Sequence, residues 1–440
     1  MPEAGAFPRR HARTRGFTLG RPRGFAVAAD GARVAFLRST AGDDPVNRLW
    51  VLDVAAGTER LVADPTALLA GEGELPAAEA ARRERARERA GGIVAFGADR
   101  DLTVAAFALA GRVFVADLTA RAPAGGHREL AGGGALDPRV DPTGRRVAWV
   151  ADRALHVAEL DGRSPTARLA GEDDPEVTWG LAEFIAAEEM DRGRGYWWAP
   201  DGERLAVARV DTRAVQRFHL ADPADPAAEP ARLAYPAAGT ANADVRLAVV
   251  GLDGGHVEVA WDRAAFPYLA AVVWDPGGPL TLLVQTRDQT QTRVLAANPD
   301  SGATTELAAQ RDRAWVELVP GVPAFMDGRL LLTVDDPGCD TRRLTVDGEP
   351  LTPPGLEISE VIAAGGGAVL VAGSEEPTEV HLWRVAPGVP AERLTGEAGQ
   401  HAAVAAGEVV VVTSATLDRD GTGTTVHRPG GPPVTIGSLA

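Results

Sequence analysis

Two adjacent carboxylates, Glu188 and Glu189, close the segment VTWGLAEFIAAEE that begins at Val177, and apolar Leu181, Phe184 and Ile185 precede them at helical spacing. Neighbouring carboxylates repel, and on an exposed helix such a pair is ordinarily just solvated. A cationic ligand would put the pair to use, because a primary ammonium offers three donors and two converging carboxylates can accept them. A second charged group is cationic: ARRERARERAGG places arginine at 82, 83, 85, 87 and 89. The spacing predicts a short helix that opens near Pro76 and stops at Gly91 and Gly92. Arginine then covers several of its faces, so most of these side chains are expected in solvent or paired to Glu84 and Glu88 at helical spacing.

Other chemistries find no footing in the sequence. None of Ser39, Ser164, Ser301, Ser359, Ser374, Ser414 and Ser438 stands in a Gly-x-Ser-x-Gly pentapeptide, so no hydrolase nucleophile elbow is expected and the chain by itself reads as inactive. The eight histidines show no paired ligand spacing on one element, and His219 and His381 read as ordinary strand or surface residues. Cys339 stands alone, which leaves no internal disulfide and no thiolate cluster and suits a reducing compartment. No metal and no cofactor are expected. The formal charge of -16 argues against nucleic acid and anionic membrane surfaces, whose fields would repel the chain. No apolar run reaches the length of a secretory signal or a membrane span, and the chain reads as cytoplasmic.

The elements that must position these groups come from a repeat. A turn built on Asp, Pro or Gly is followed by an alternating apolar strand in AADGARVAFLR from Ala28, VDPTGRRVAWVA from Val140, APDGERLAVARV from Ala199, WDPGGPLTLLVQ from Trp274 and FMDGRLLLTV from Phe325. Weaker copies are GADRDLTVAAFA from Gly97, AAGGGAVLVAGS from Ala363 and AAGEVVVVTSAT from Ala405. Most are followed by a second strand and turn, as in LWVLDVAAGTERLV from Leu49 and HLWRVAPGVPAERLT from His381. Gly 50 and Pro 32, spread between short apolar runs, fit strands joined by tight turns. Eight such units, about 40 to 75 residues each, predict an all-β fold: an eight-bladed β-propeller of four-stranded antiparallel blades with short helical insertions. Stacked sandwiches or a β-helix would not explain this repeated unit. Two units are too long for four strands, those holding residues 64–92 and 171–197, and insertions in repeat folds gather on one functional face.

The stretch EFIAAEEMDRGRGYWWAPDGERLAVARVD, from Glu183 to Asp211, resembles the glutamate motif of the dipeptidyl peptidase IV family: a double glutamate, then Gly-Tyr-Trp-Trp, then a Pro-Asp-Gly turn opening the next strand. A second stretch, LAYPAAGTANADVRLAVV from Leu233, is similar to the family's Tyr-Pro-x-Ala-Gly-x-x-Asn segment, here Tyr235, Pro236, Ala238, Gly239 and Asn242, in the same order along the chain. The resemblance covers residues 1–440 as the family's amino-terminal propeller domain. It implies that Glu188 and Glu189 bind the free amino terminus of a peptide, so that dipeptides ending in proline or alanine are released. It also implies that the arginine-rich segment orders over the substrate, and RERARERAGGI laid on the family pattern puts the carbonyl-binding arginine at Arg87, with Arg85 and Arg89 as close rivals.

In the family an α/β-hydrolase domain follows and carries the Ser, Asp and His of catalysis. That domain is expected to be absent from this chain and to act in trans or to have been lost. The segment GRLLLTVDDPGCDTRRLTV from Gly328 also lacks the aromatic residues that family members often show in the corresponding turn. The expected partner is a peptide with a free amino terminus, in proteolysis by a serine peptidase. The competing expectation is a stand-alone propeller that binds proteins or peptides without turnover, since propellers serve many functions.

Overall fold

The turn residues of the repeat explain how each blade begins. Asp30, Asp141 and Asp201 each accept, through Oδ1, the backbone N–H two residues on, at 2.8, 2.6 and 2.9 Å, closing the first hairpin of their blades as Asx turns. In the computed structural model, which describes residues 6–69, 79–80, 83–84, 87–119 and 126–440, all eight copies of the repeat fall at this same place, the first hairpin and second strand of a sheet.

The chain is an eight-bladed β-propeller of antiparallel sheets. Blade 1 runs Arg23–Val27, Arg33–Arg38, Val46–Asp53 and Thr58–Ala63, in chain order, and blades 2, 3, 5, 6, 7 and 8 repeat that order of four strands. Blade 4 keeps the meander with Arg204–Asp211, Asp244–Gly251 and His256–Glu258, but its first strand comes in two pieces, Val177–Trp179 and Tyr196–Trp198. Between its second and third strands a separate hairpin, Arg217–Leu220 with Ala231–Ala234, leaves the blade. Two compact units emerge, residues 1–147 with 319–440 and residues 148–318.

Strand periodicity divides the core. Within Arg33–Arg38, Val34 and Phe36 turn one way, into a cluster with Val409, Val411 and Val426 of blade 8, while Ala35 and Leu37 turn the other way, against Ala105 and Phe107 of blade 2. One strand therefore feeds two cores, so Val34 to Leu37 form a continuous apolar run in place of the alternation expected of the repeat strand. In the second unit, Ala206, Leu247 and Val249 of blade 4 pack on Leu269, Leu280 and Leu282 of blade 5. Burying each large side chain is worth about 2–3 kcal/mol.

The first insertion departs from the expected helix. Glu79, Ala80, Arg83 and Glu84 are helical, but Arg87 is already a turn residue with φ of 49°, and Gly91–Gly92 pair in parallel with Val46 and Asn47. Gly92 is needed there because a Cβ would stand 2.5 Å from the Asn47 carbonyl oxygen. Its role is close approach to a strand, and the helix has ended by Arg87. The ion pairs differ as well: Glu88 is held by Arg23 at 2.5 Å and Arg83 by Glu79 at 2.7 Å. Pro76, Arg82 and Arg85 lie outside the described residues.

Candidate functional site

The second insertion is an excursion from the first strand of blade 4. Val177–Trp179 pairs with Asp211–Arg209, and Tyr196–Trp198 pairs with Val207–Leu205, leaving Ala208 opposite the break. Both ends of the break are tied to that one residue, because Gly180 N–H donates to the Ala208 carbonyl at 2.9 Å and Ala208 N–H donates to the Gly195 carbonyl at 2.7 Å. The chain thus leaves and returns at one point of the sheet, and residues 181–194 stand out from a narrow neck.

What the excursion carries is the helix Phe184–Glu189. Leu181 precedes this helix and does not take part in it. Glu183 caps it, accepting the Ala186 N–H at 2.6 Å through Oε2. Ala186 is fully buried, and Phe184 and Ile185 are half-buried. Glu188 and Glu189 form the exposed last turn. That turn holds no basic residue, so both carboxylates sit at the carbonyl end of the helix, where the backbone dipole disfavours negative charge by roughly 0.3–1 kcal/mol. A bound cation would relieve this repulsion together with that between the two side chains.

The aromatic run behind the glutamates is an anchor. Tyr196 is fully buried and its hydroxyl donates to the Ala148 carbonyl at 2.9 Å, while Trp197 and Trp198 are buried on opposite faces of the strand. The Tyr-Pro segment comes to the same place: the Tyr235 ring meets Phe184 edge-on at 5.0 Å between centroids and Phe218 at 5.6 Å. Pro236 and Asn242 line a small cavity of about 30 Å³ whose other walls include Glu183, Phe184, Ile185 and Tyr268. The two stretches singled out in the sequence therefore build one structure around the glutamate helix.

Arg87 belongs to the other unit. It is exposed, and the bonds around it form a helix-ending motif in which Arg87 N–H donates to Glu84 O at 3.0 Å and Glu88 N–H to Arg83 O at 2.8 Å. The left-handed position in that motif is ordinarily glycine. The insertion around it is fastened at both ends. Asp64 caps the turn Pro65–Leu68 and accepts from Arg48 Nε at 2.9 Å, while Arg48 also donates to Asp44 at 2.6 Å. Glu88 takes the Ala90 N–H at 2.6 Å besides its pair with Arg23.

Sequence reasoning passed over a buried ion pair beneath the glutamate helix, Glu183 with Arg192 at 3.2 Å, because neither residue stands in a periodic pattern. It also passed over a polar cleft of about 440 Å³ on blade 4, where Arg209 forks onto Glu172 at 2.5 and 2.9 Å and Arg213 pairs with Asp211 and Asp174. The Arg209 guanidinium draws the Glu172 carboxyl below its ordinary range. Among the described residues no three His, Cys, Asp or Glu side chains gather as metal ligands, and no helix is long and apolar enough to cross a membrane.

Dipeptidyl peptidase 8 of Mus musculus is 28% identical over 172 residues, 34% of this chain and 19% of that protein, and its Homo sapiens counterpart is 25% identical over 175 residues, 34% of this chain and 20% of that protein. The match spans about a fifth of the length of these curated relatives. The crystal structure of Porphyromonas gingivalis dipeptidyl peptidase 4 superposes with a TM-score of 0.73 at 16% identity, covering 97% of this chain and 61% of that one, a likeness of fold. Residues 109–419 match the family described as the dipeptidyl peptidase IV (DPP IV) N-terminal region, and to that family this chain belongs.

Proposed function

We propose that this chain is the substrate-recognition propeller of a dipeptidyl peptidase IV-like serine peptidase. Glu188 and Glu189 take the ammonium of a peptide's free amino terminus, and Arg87 binds a backbone carbonyl near that end. An α/β-hydrolase domain outside these 440 residues then releases an X-Pro or X-Ala dipeptide. A cytoplasmic setting belongs to the same reading.

The observation that carries the proposal is the placement of the two carboxylates. They are exposed, adjacent, at the unfavourable end of a capped helix, and mounted on an excursion from the first strand of blade 4. An ammonium between them would satisfy its donors and cancel the repulsion. The guanidinium of Arg87 suits a carbonyl because its N–H groups lie in a fixed fork. The chain's own work in the reaction is then to fix the amino terminus, so that the bond two residues in falls at one place.

The test is binding by the 440-residue chain of a pentapeptide that begins Ala-Pro, set beside its N-acetylated twin, by calorimetry. The free amine should bind more tightly. Glu188→Gln and Glu189→Gln should each weaken that binding, since removing one partner of a desolvated charge pair costs roughly 2–5 kcal/mol, about 30-fold to several thousand-fold. Melting temperatures should hold, because both side chains are exposed. Equal affinity for the two peptides would overturn the proposal.

A further inference from the structure

Close to the exposed glutamates in the chain lies a buried salt bridge. The side chains of Arg192 and Glu183 are 4% and 7% exposed, and Arg192 Nη2 lies 3.2 Å from Glu183 Oε1. Burial works against the arginine's charge, and Glu183 sustains it. Such a pair is costly to desolvate, and apolar residues of similar volume commonly serve stability as well or better, so its use here calls for a reason beyond packing.

The geometry supplies one. Glu183 is the cap at the start of the glutamate helix, its other oxygen accepting Ala186 N–H at 2.6 Å. Arg192 lies past the end of the helix and grips it through its own backbone N–H, which donates to Ala186 O at 2.9 Å. Its side chain donates to Arg194 O at 3.0 Å within the excursion and to Leu269 O at 2.9 Å on the first strand of blade 5. The guanidinium also stands over the Trp197 ring, 6.0 Å from its centroid. One buried pair therefore joins both ends of the helix to each other and to the neighbouring blade. A helix of six residues cannot hold itself in water, so its orientation has to come from such fastenings.

We propose that Glu183 and Arg192 are positioning residues for ammonium recognition: they touch no substrate, and they set the direction in which Glu188 and Glu189 point. The proposal rests on the reading that those two glutamates bind an ammonium.

The experiment uses the full chain with Arg192→Met, Arg192→Lys, Glu183→Gln and, as reference, Glu188→Gln. Two quantities are read: deuterium exchange over residues 184–190, and the ratio of affinities for the Ala-Pro pentapeptide and its N-acetylated twin. Arg192→Met should speed exchange over 184–190 while Arg204–Asp211 and Tyr268–Val273 stay protected, and should cut the ratio about tenfold or more. Arg192→Lys, which keeps the charge, should restore part of it. Glu183→Gln keeps an oxygen for the cap and removes only the charge, so it decides the matter if Arg192→Met does not fold.

An unchanged ratio in Arg192→Met and Glu183→Gln, with the ratio lost in Glu188→Gln, would overturn this inference and leave the proposed function standing. A ratio that Glu188→Gln also leaves unchanged would bring down the proposed function itself. Loss of protection throughout the strands of blades 4 and 5 in both Glu183→Gln and Arg192→Met would make the pair a support of the fold, and would equally overturn positioning.

Discussion

A Cβ placed on Gly195 would stand 2.5 Å from the carbonyl carbon of Gly180, so the two ends of the glutamate excursion are pressed backbone to backbone. No rotamer change can relieve that contact. Gly195→Ala should therefore lower the stability of the chain by about 2–4 kcal/mol, the range of overpacking and backbone strain combined. Gly180→Ala should also destabilise, since φ there is +86° and the added carbon would meet Val150 Cγ2 at 2.8 Å. Urea unfolding checks both, and a Gly195→Ala midpoint equal to the parent's would contradict the neck.

Arg87 occupies a left-handed position that glycine takes without cost. Arg87→Gly should leave the chain as stable as before or steadier by up to about 1 kcal/mol, because relief of the strain outweighs the entropy that glycine adds to the unfolded chain. Arg87→Ala should be near neutral. Both should weaken the Ala-Pro pentapeptide to the same degree, since both remove the guanidinium. Thermal melts with binding isotherms separate the two effects, and undiminished binding in both variants would remove Arg87 from the site.

Asp44 gives the fold an acid-sensitive fastening. Burial pushes its carboxyl upward, but the Thr40 hydroxyl, the N–H groups of Val46 and Thr40, and the Arg48 guanidinium outweigh burial and hold it at about 2. Asp64, against the same Arg48, is also lowered. A depressed carboxyl stabilises the fold above its unfolded pKa of roughly 4, and that stability is lost as pH falls through the folded value. Asp44→Asn should cost about 1–2 kcal/mol at pH 7, a figure reduced from the full shift because the cluster is partly solvated. The gap between parent and variant should close between about pH 4 and pH 2 in denaturant titrations. A gap that persisted at pH 2 would refute the assignment.

The blades were legible because each begins with the same local chemistry. An Asp side chain or a glycine closes the first hairpin at Asp30, Asp141 and Asp201, and an apolar strand buried on both sides follows, so turn and strand signals agree at every copy. The stretch that carries Glu188 and Glu189 was marked by the aromatic run that anchors its far end and by the Tyr-Pro segment, whose Tyr235 the fold brings against Phe184 of the same helix. The pair Glu183 and Arg192 was not. Arg192 sits in the sequence DRGRG, which looks like any polar loop, and only the folded chain shows that its guanidinium is buried and satisfied by the Glu183 carboxylate and by the Leu269 carbonyl far along the chain. The arginine-rich segment misled for a related reason. Gly91 and Gly92 resemble a helix stop, yet they serve to lie against Val46 and Asn47, a contact between residues remote in sequence.

The break in the first strand of blade 4 has a consequence for how this propeller can be altered. Since Gly180 and Gly195 both bond to Ala208, the sheet loses only one rung to the excursion. Residues 181–194 are in effect a cassette plugged into a socket one residue wide. A chain in which a short glycine link replaced them should keep the blade, because Tyr196 and Trp197 hold the strand beyond the socket from its two faces. Cassettes of other lengths and charges could be spliced at the same two glycines, so that the charge and shape of this surface would be exchanged as one part while the scaffold stayed as it is.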